Sequence, residues 1–171
     1  GTKLLYSCTS FSATSPDDNH HGVDFPVPTN TPISAGAAGK IYQRIYTCPD
    51  VGSATDQCGS RFGNHYRIDH AGDNFDGNGL LSIYAHMKAS SVTLGTGSSV
   101  FCGQQLGQSA ASGQVTGAHL HFELWTNGTD VNTKTDPFAG QCSHTSPVYW
   151  NSVSNSLPST ACQTMPGAPS N

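Results

Sequence analysis

Histidine carries the most chemical potential in this chain: eight imidazoles stand against seven Lys plus Arg and a lone glutamate, Glu123. His119 and His121 form the tightest arrangement. In a strand, residues two apart point to one face, so HLHFEL aims both imidazoles and Glu123 to one side and leaves Leu120, Phe122 and Leu124 for the core. Two adjacent imidazoles can share a metal or a reacting group. NHHGVDF sets His20 and Asp24 four residues apart, with Gly22 allowing a sharp backbone course between them. Imidazole and carboxylate are both ordinary Zn2+ ligands, and an open site takes three protein ligands plus water. His20, Asp24 and one imidazole of HxH would supply those three. In LLSIYAHMK, alternation puts Ser82, Tyr84 and His86 on one face and Leu81, Ile83 and Ala85 on the other. His86 thus ends an apolar strand, a position suited to reaching over a site mouth.

Competing chemistries lack their residues. HExxH zincins need a Glu between histidines on a helix, whereas Glu123 follows its histidines on a β-type run. Zinc deaminases need H-x-E with PCxxC, which is absent. The Asp residues fall mostly in turns such as PDD and AGDNFDG, against the close carboxylate pair of glycosidases. No GxSxG occurs. Metal-assisted hydrolysis without a glutamate base is left.

The elements that must position these residues are short strands. Only 11% of the 171 residues are charged, and 19 Gly and 10 Pro punctuate the chain. The β-type runs are DFPV, KIYQRIY, HYRIDH, LLSIYAHM, SVTL, SVFCGQQLG and HLHFELW, with turns at PTNTP, AGDNFDGNG and TGSS. KIYQRIY places Ile41, Gln43 and Ile45 on one face and Tyr42, Arg44 and Tyr46 on the other. SAASGQVTGA reads as a flexible approach to HLH. Helical periodicity is nowhere sustained, so the fold class is mainly β: an antiparallel domain with long surface loops. One domain is expected over 1–171, with 1–19 a turn-rich leader and 138–171 an irregular tail packed on the domain.

A net charge of −4 with scattered basic residues excludes nucleic acid and anionic lipid as partners. No apolar run approaches the roughly 20 residues that span a bilayer, so no membrane insertion is expected. The chain opens GTKLLYSC, which reads as a mature, trimmed form. Six cysteines without a CxxC favour disulfides and secretion. Proximity in sequence suggests Cys48–Cys58, bracketing CPDVGSATDQC, and Cys142–Cys162, leaving Cys8–Cys102.

HHGVDFPVPTNTPISAGAAGKI, FGNHYRIDH, LLSIYAHM and SVFCGQQLGQSAASGQVTGAHLHFEL, in this order, resemble the successive signatures of the lysostaphin/LytM-type (M23) zinc metallopeptidases. The resemblance covers roughly 20–137 and implies a mainly antiparallel β fold with a substrate groove, cutting peptide bonds in bacterial peptidoglycan cross-links or stem peptides. It implies that His20, Asp24 and His121 bind one Zn2+, that His86 and His119 are catalytic, and that Asn64 lies near the substrate. His70 matches a retained but non-catalytic position, while His65 and His144, without a motif, are expected on the surface. Cys48–Cys58 and Cys102 suggest disulfide-stabilised groove walls. A secreted monomer is expected. The other readings are a secreted zinc protease acting on proteins such as elastin, and an inactive binding relative.

Overall fold

The computed structural model describes residues 22–70, 76–77, 79–126 and 134–135. The strands are β1 (Val23–Phe25), β2 (Pro32–Ser34), β3 (Gly39–Ile45), β4 (Val51–Ser53), β5 (Asn64–Asp69), β6 (Leu81–Met87), β7 (Ser99–Val100), β8 (Gln105–Gln108), β9 (Ala111–Gln114), β10 (Leu120–Trp125) and β11 (Lys134–Thr135). Two short 3₁₀ turns, Cys58–Arg61 and Ala89–Ser91, are the other regular elements, and no α-helix occurs among the described residues. The expected leader, the tail, His20, His21 and His144 lie outside the described residues.

The main sheet runs β1-β10-β6-β5-β3-β7, with β11 also paired to β10, and every pairing in it is antiparallel. Two small pairs flank it, β2 with β8 antiparallel and β4 with β9 parallel. The strand alternation read from HLHFELW and LLSIYA holds. Phe122 stands opposite Tyr84, which in turn stands opposite Tyr66. These residues pack with Ile41, Ile68, Leu124 and Leu106 into the main core. Tyr84 and Phe122 meet edge to face at 5.1 Å, and the Tyr84 hydroxyl accepts a hydrogen bond from Gly36 N at 2.8 Å. The opposite face buries Leu81, Ile83, Ala85 and Trp125 against Tyr42 and Phe62. This second face carries the site.

Four local readings are corrected. SVTL forms no strand: Ala89–Ser91 is a 3₁₀ turn, and the Leu94 N–H is taken by the Tyr66 hydroxyl at 2.8 Å. SVFCGQQLG is broken into β7 and β8 at Gly103, whose φ of 78° closes a turn. In β3 the register shifts between Ile41 and Gln43, so Ile41 faces Ile68 in the core while Gln43 pairs with Arg67 on the other face. SAASGQ is ordered, since Ala111–Gln114 is β9 and Gly113, at φ 79°, lets its backbone press against Gly63.

The disulfide Cys48–Cys58 is present, with Cα atoms 5.8 Å apart. It closes the segment before β5 onto the end of β3. Cys102 is also disulfide-bonded. Cys8, the expected partner of Cys102, and both cysteines of the expected Cys142–Cys162 pair lie outside the described residues.

Candidate active site

Antiparallel pairing brings Asp24 and His121 together although they are 97 positions apart in sequence. The register of β1 on β10 sets them directly opposite each other, and Asp24 Oδ1 lies 2.9 Å from His121 Nδ1. The same oxygen is 3.5 Å from Nε2 of His119, which precedes β10. Gly22 makes this approach possible, because a Cβ there would sit 2.6 Å from the His121 ring. From β6, His86 closes the group at 4.6 Å from the His119 ring and 5.6 Å from the His121 ring. Ligand atoms of His86, His119 and His121 all lie within 4.8 Å of one another.

His86 reaches this face by breaking the alternation of its strand. Period two would send it to the core side with Ser82 and Tyr84. Between the pairs Asn64 with Met87 and Tyr66 with Tyr84, β6 holds one residue more than β5. This bulge, with His86 at φ 59°, turns the imidazole toward His119 and returns Met87 to the main core. Hydrogen bonds hold the unusual backbone: His86 N–H donates to Phe62 O at 2.9 Å, and His86 O accepts from Ala110 N at 2.8 Å. The ring is fixed as well, its Nδ1–H donating to Ser112 O at 2.7 Å. His119 has a parallel arrangement, with Nδ1–H donating to Gly117 O at 2.9 Å. In both rings the carbonyl pins the proton on Nδ1 and leaves Nε2 with a lone pair.

The two buried histidines of the cluster are pushed in opposite directions. Burial, followed by the charges of His121 and His119, lowers His86 to about 3 and keeps it neutral. Burial alone would lower His121 too, but hydrogen bonds and charges from Asp24 and Glu123 outweigh it and raise it to about 9. Three imidazoles and a carboxylate therefore converge at one spot, with Asp24 24% exposed and His119 18% exposed at its rim. Nitrogen and carboxylate donors in this arrangement fit a divalent transition metal.

Of the residues singled out in the sequence, Asp24, His86, His119 and His121 are brought together, and His20 lies outside the described residues. Asn64 lies behind the cluster, opposite Met87 and bonded through its N–H to Ser112 Oγ at 3.0 Å. It is fully buried, accepting from Cys48 N at 2.9 Å and donating to Cys48 O at 3.0 Å and Met87 O at 3.1 Å. Its amide ties loops together and presents no accessible atom to a substrate. His65 is not a surface residue but 2% exposed, packed edge-on against Phe62 at 5.6 Å. Burial lowers it to about 4, and its Nε2 has no hydrogen-bond partner among the described residues. His70 is structural as expected, contacting Ala38 O and Ser82 Oγ at 2.7 Å each. Ser112 and Phe62 carried no sequence signal, because each acts through a backbone carbonyl that any residue possesses.

Comparison with known proteins agrees with this geometry. The family model described as peptidase family M23 matches residues 18–133. A DD-carboxypeptidase/endopeptidase, Mpg, of Neisseria meningitidis is 34% identical over 113 residues, covering 66% of this chain and 21% of that protein. The peptidoglycan DD-endopeptidase ShyA of Vibrio cholerae is 33% identical over 113 residues, 66% of this chain and 22% of its own length. The chain thus spans about a fifth of these curated relatives. Among solved structures, the catalytic domain of the antimicrobial peptidase lysostaphin from Staphylococcus simulans superposes with a TM-score of 0.55 at 26% identity, over 72% of this chain and 80% of that one. A variant of the catalytic domain of the prophage-encoded M23 protein EnpA from Enterococcus faecalis gives 0.52 at 30% identity, over 71% and 79%. With the family model covering more than half of the chain and the histidine cluster in place, the chain belongs to peptidase family M23.

Proposed function

We propose that this protein is a secreted, monomeric zinc metalloendopeptidase that hydrolyses peptide bonds in bacterial peptidoglycan cross-links or stem peptides. The observation that carries the reading is the convergence of Asp24, His86, His119 and His121 at a partly open edge of the sheet in an M23 chain. The substrate class follows from relatives named peptidoglycan DD-endopeptidase and, in Staphylococcus capitis, glycyl-glycine endopeptidase. Secretion is supported by the Cys48–Cys58 disulfide, which reducing compartments disfavour. Residues 1–171 are taken as one peptidase domain.

Asp24 and His121 hold the metal, with His20 as third ligand. A Zn2+ bound there would supply Lewis acidity and a water of pKa about 7. His119, with Nδ1–H anchored on Gly117 O, has its Nε2 lone pair in position to take the water's proton and pass it to the leaving amine. His86 has a different part. Held neutral with its proton on Nδ1, it offers Nε2 only as an acceptor, which suits orienting the attacking water better than donating to an oxyanion.

The deciding experiment is digestion of purified cell walls by the zinc-loaded protein, with mass spectrometry of the released fragments. New amine and carboxyl termini in stem or cross-link peptides are expected. Intact walls together with cleaved elastin or casein would leave the metal assignment standing and overturn the substrate.

A further inference from the structure

We infer that Glu123, the chain's sole glutamate, is a positioning residue that orients the His121 ring and fixes its tautomer, so that Nδ1 is the nitrogen offered to the metal. The inference rests on the reading above that His121 is a zinc ligand.

The geometry is directional. Glu123 lies two residues beyond His121 on the same face of β10 and is 3% exposed. Its Oε1 is 3.0 Å from His121 Nε2, on the side of the ring away from Asp24, which meets Nδ1 at 2.9 Å. Both ring nitrogens face a carboxylate and so carry protons while no cation is bound, but the two partners differ: Asp24 is itself read as a metal ligand, so a cation beside it takes the place of the Nδ1 proton, whereas Glu123 keeps the proton on Nε2. The carboxylate is itself held from behind, because Trp125 Nε1–H donates to Oε2 at 2.5 Å. Charge is balanced along one row of the sheet. Glu123 pairs with Ile83, which pairs with Arg67, and the Arg67 guanidinium lies 5.0 Å above the Trp125 ring.

A carboxylate set among Leu81, Ile83, Ala85 and Trp125 is costly to bury, and buried ion pairs of this kind are weak contributors to stability. Orientation of the ring explains its presence better. With Nε2 anchored, the imidazole cannot rotate about χ2 to offer the wrong nitrogen, and the partial negative charge on the ring makes Nδ1 a better donor. Glu123 touches neither substrate nor metal in this arrangement. It therefore differs in kind from the catalytic glutamate of HExxH enzymes.

The test uses the full chain. Zinc affinity is measured at neutral pH by competition with a chromophoric chelator for wild type, Glu123→Gln and Trp125→Phe, and the imidazole nitrogens of the zinc-loaded wild type are assigned by 15N NMR. Glu123→Gln is expected to weaken zinc binding roughly 10- to 100-fold, the usual effect of removing such an outer partner, with Trp125→Phe weaker in effect. The NMR is expected to show His121 protonated on Nε2 and metal-bound through Nδ1. Zinc affinity of Glu123→Gln within twofold of wild type, or ligation through Nε2, overturns the inference. Should Glu123→Gln fail to fold, the wild-type tautomer decides alone. A wild type that binds no zinc would instead overturn the reading of the site, an outcome distinct from one in which both proteins bind equally.

Discussion

Asn64 offers the sharpest separation between a structural and a substrate-contacting residue. Replacing it by alanine removes the partner of Cys48 N–H at 2.9 Å and of Cys48 C=O at 3.0 Å, while Met87 C=O keeps the Ser112 hydroxyl at 2.8 Å. Two backbone groups are then left without the amide that satisfied them. At about 1–3 kcal/mol for each buried group so orphaned, the cost centres on about 4 kcal/mol. For a chain of this size each kcal/mol lowers Tm by roughly 2–4 °C, so the metal-free variant should melt about 8–16 °C below wild type. Thermal unfolding followed by circular dichroism on both proteins without metal avoids confusing stability with ligand linkage. KM for a peptide substrate, measured well below the melting range, should stay close to wild type. A Tm unchanged within a degree or two together with a clearly raised KM would refute the structural account and return Asn64 to the substrate groove.

Further outcomes follow from the same contacts. His86→Ala and His119→Ala should each keep one zinc per chain by elemental analysis while losing roughly 10²- to 10⁴-fold in turnover, whereas Asp24→Ala should lose the metal. Zinc lost from either histidine variant would mean that the division between ligand and catalyst is wrong. His65 governs an acid-sensitive window. Its folded pKa of about 4 lies below the ordinary 6.5, so the unfolded chain binds the extra proton and stability falls as pH drops from about 6.5 to about 4. The full effect is roughly 3 kcal/mol, visible as a steeper pH dependence of urea unfolding in wild type than in His65→Asn, which can still donate to Gly63 O. Equal slopes would exclude His65 as the source. Opening the Cys48–Cys58 loop, ten residues in separation, by a double serine variant should cost about 3 kcal/mol in urea unfolding. It should also slow turnover, because Phe62, whose carbonyl anchors His86 N, caps the Cys58–Arg61 turn that the bridge holds in place. Unchanged turnover would show that the loop keeps its shape without the bridge.

Much of the fold was legible because strand alternation is a local property. HLHFELW placed Phe122 and Leu124 in the core and His121 and Glu123 on the far side, as the structure has them. CPDVGSATDQC likewise disclosed its own bridge, since ten residues of turn-forming sequence bring their ends together cheaply. Failures fell where one strand depends on another. The register shift at Tyr42 and the bulge before Met87 each answer to a partner strand, and no period within KIYQRIY or LLSIYAHM announces them. His65 was misplaced for a related reason. Burial of a polar side chain is decided by what covers it and what bonds to it, and both come from distant segments.

Residue types and short-range periodicity determined which chemistry this chain can perform: imidazoles and a carboxylate at ligand spacing, one glutamate, and strands to carry them. Only the tertiary structure decided how they meet. Asp24 reaches His121 through antiparallel register, and His86 joins them because a bulge at φ 59° reverses its face. Glu123 becomes an orienting group instead of a base because its carboxylate meets the far nitrogen of His121. The physical reason is that side-chain direction within a strand follows from the chain itself, whereas register, bulges and hydrogen-bond partners exist only between strands.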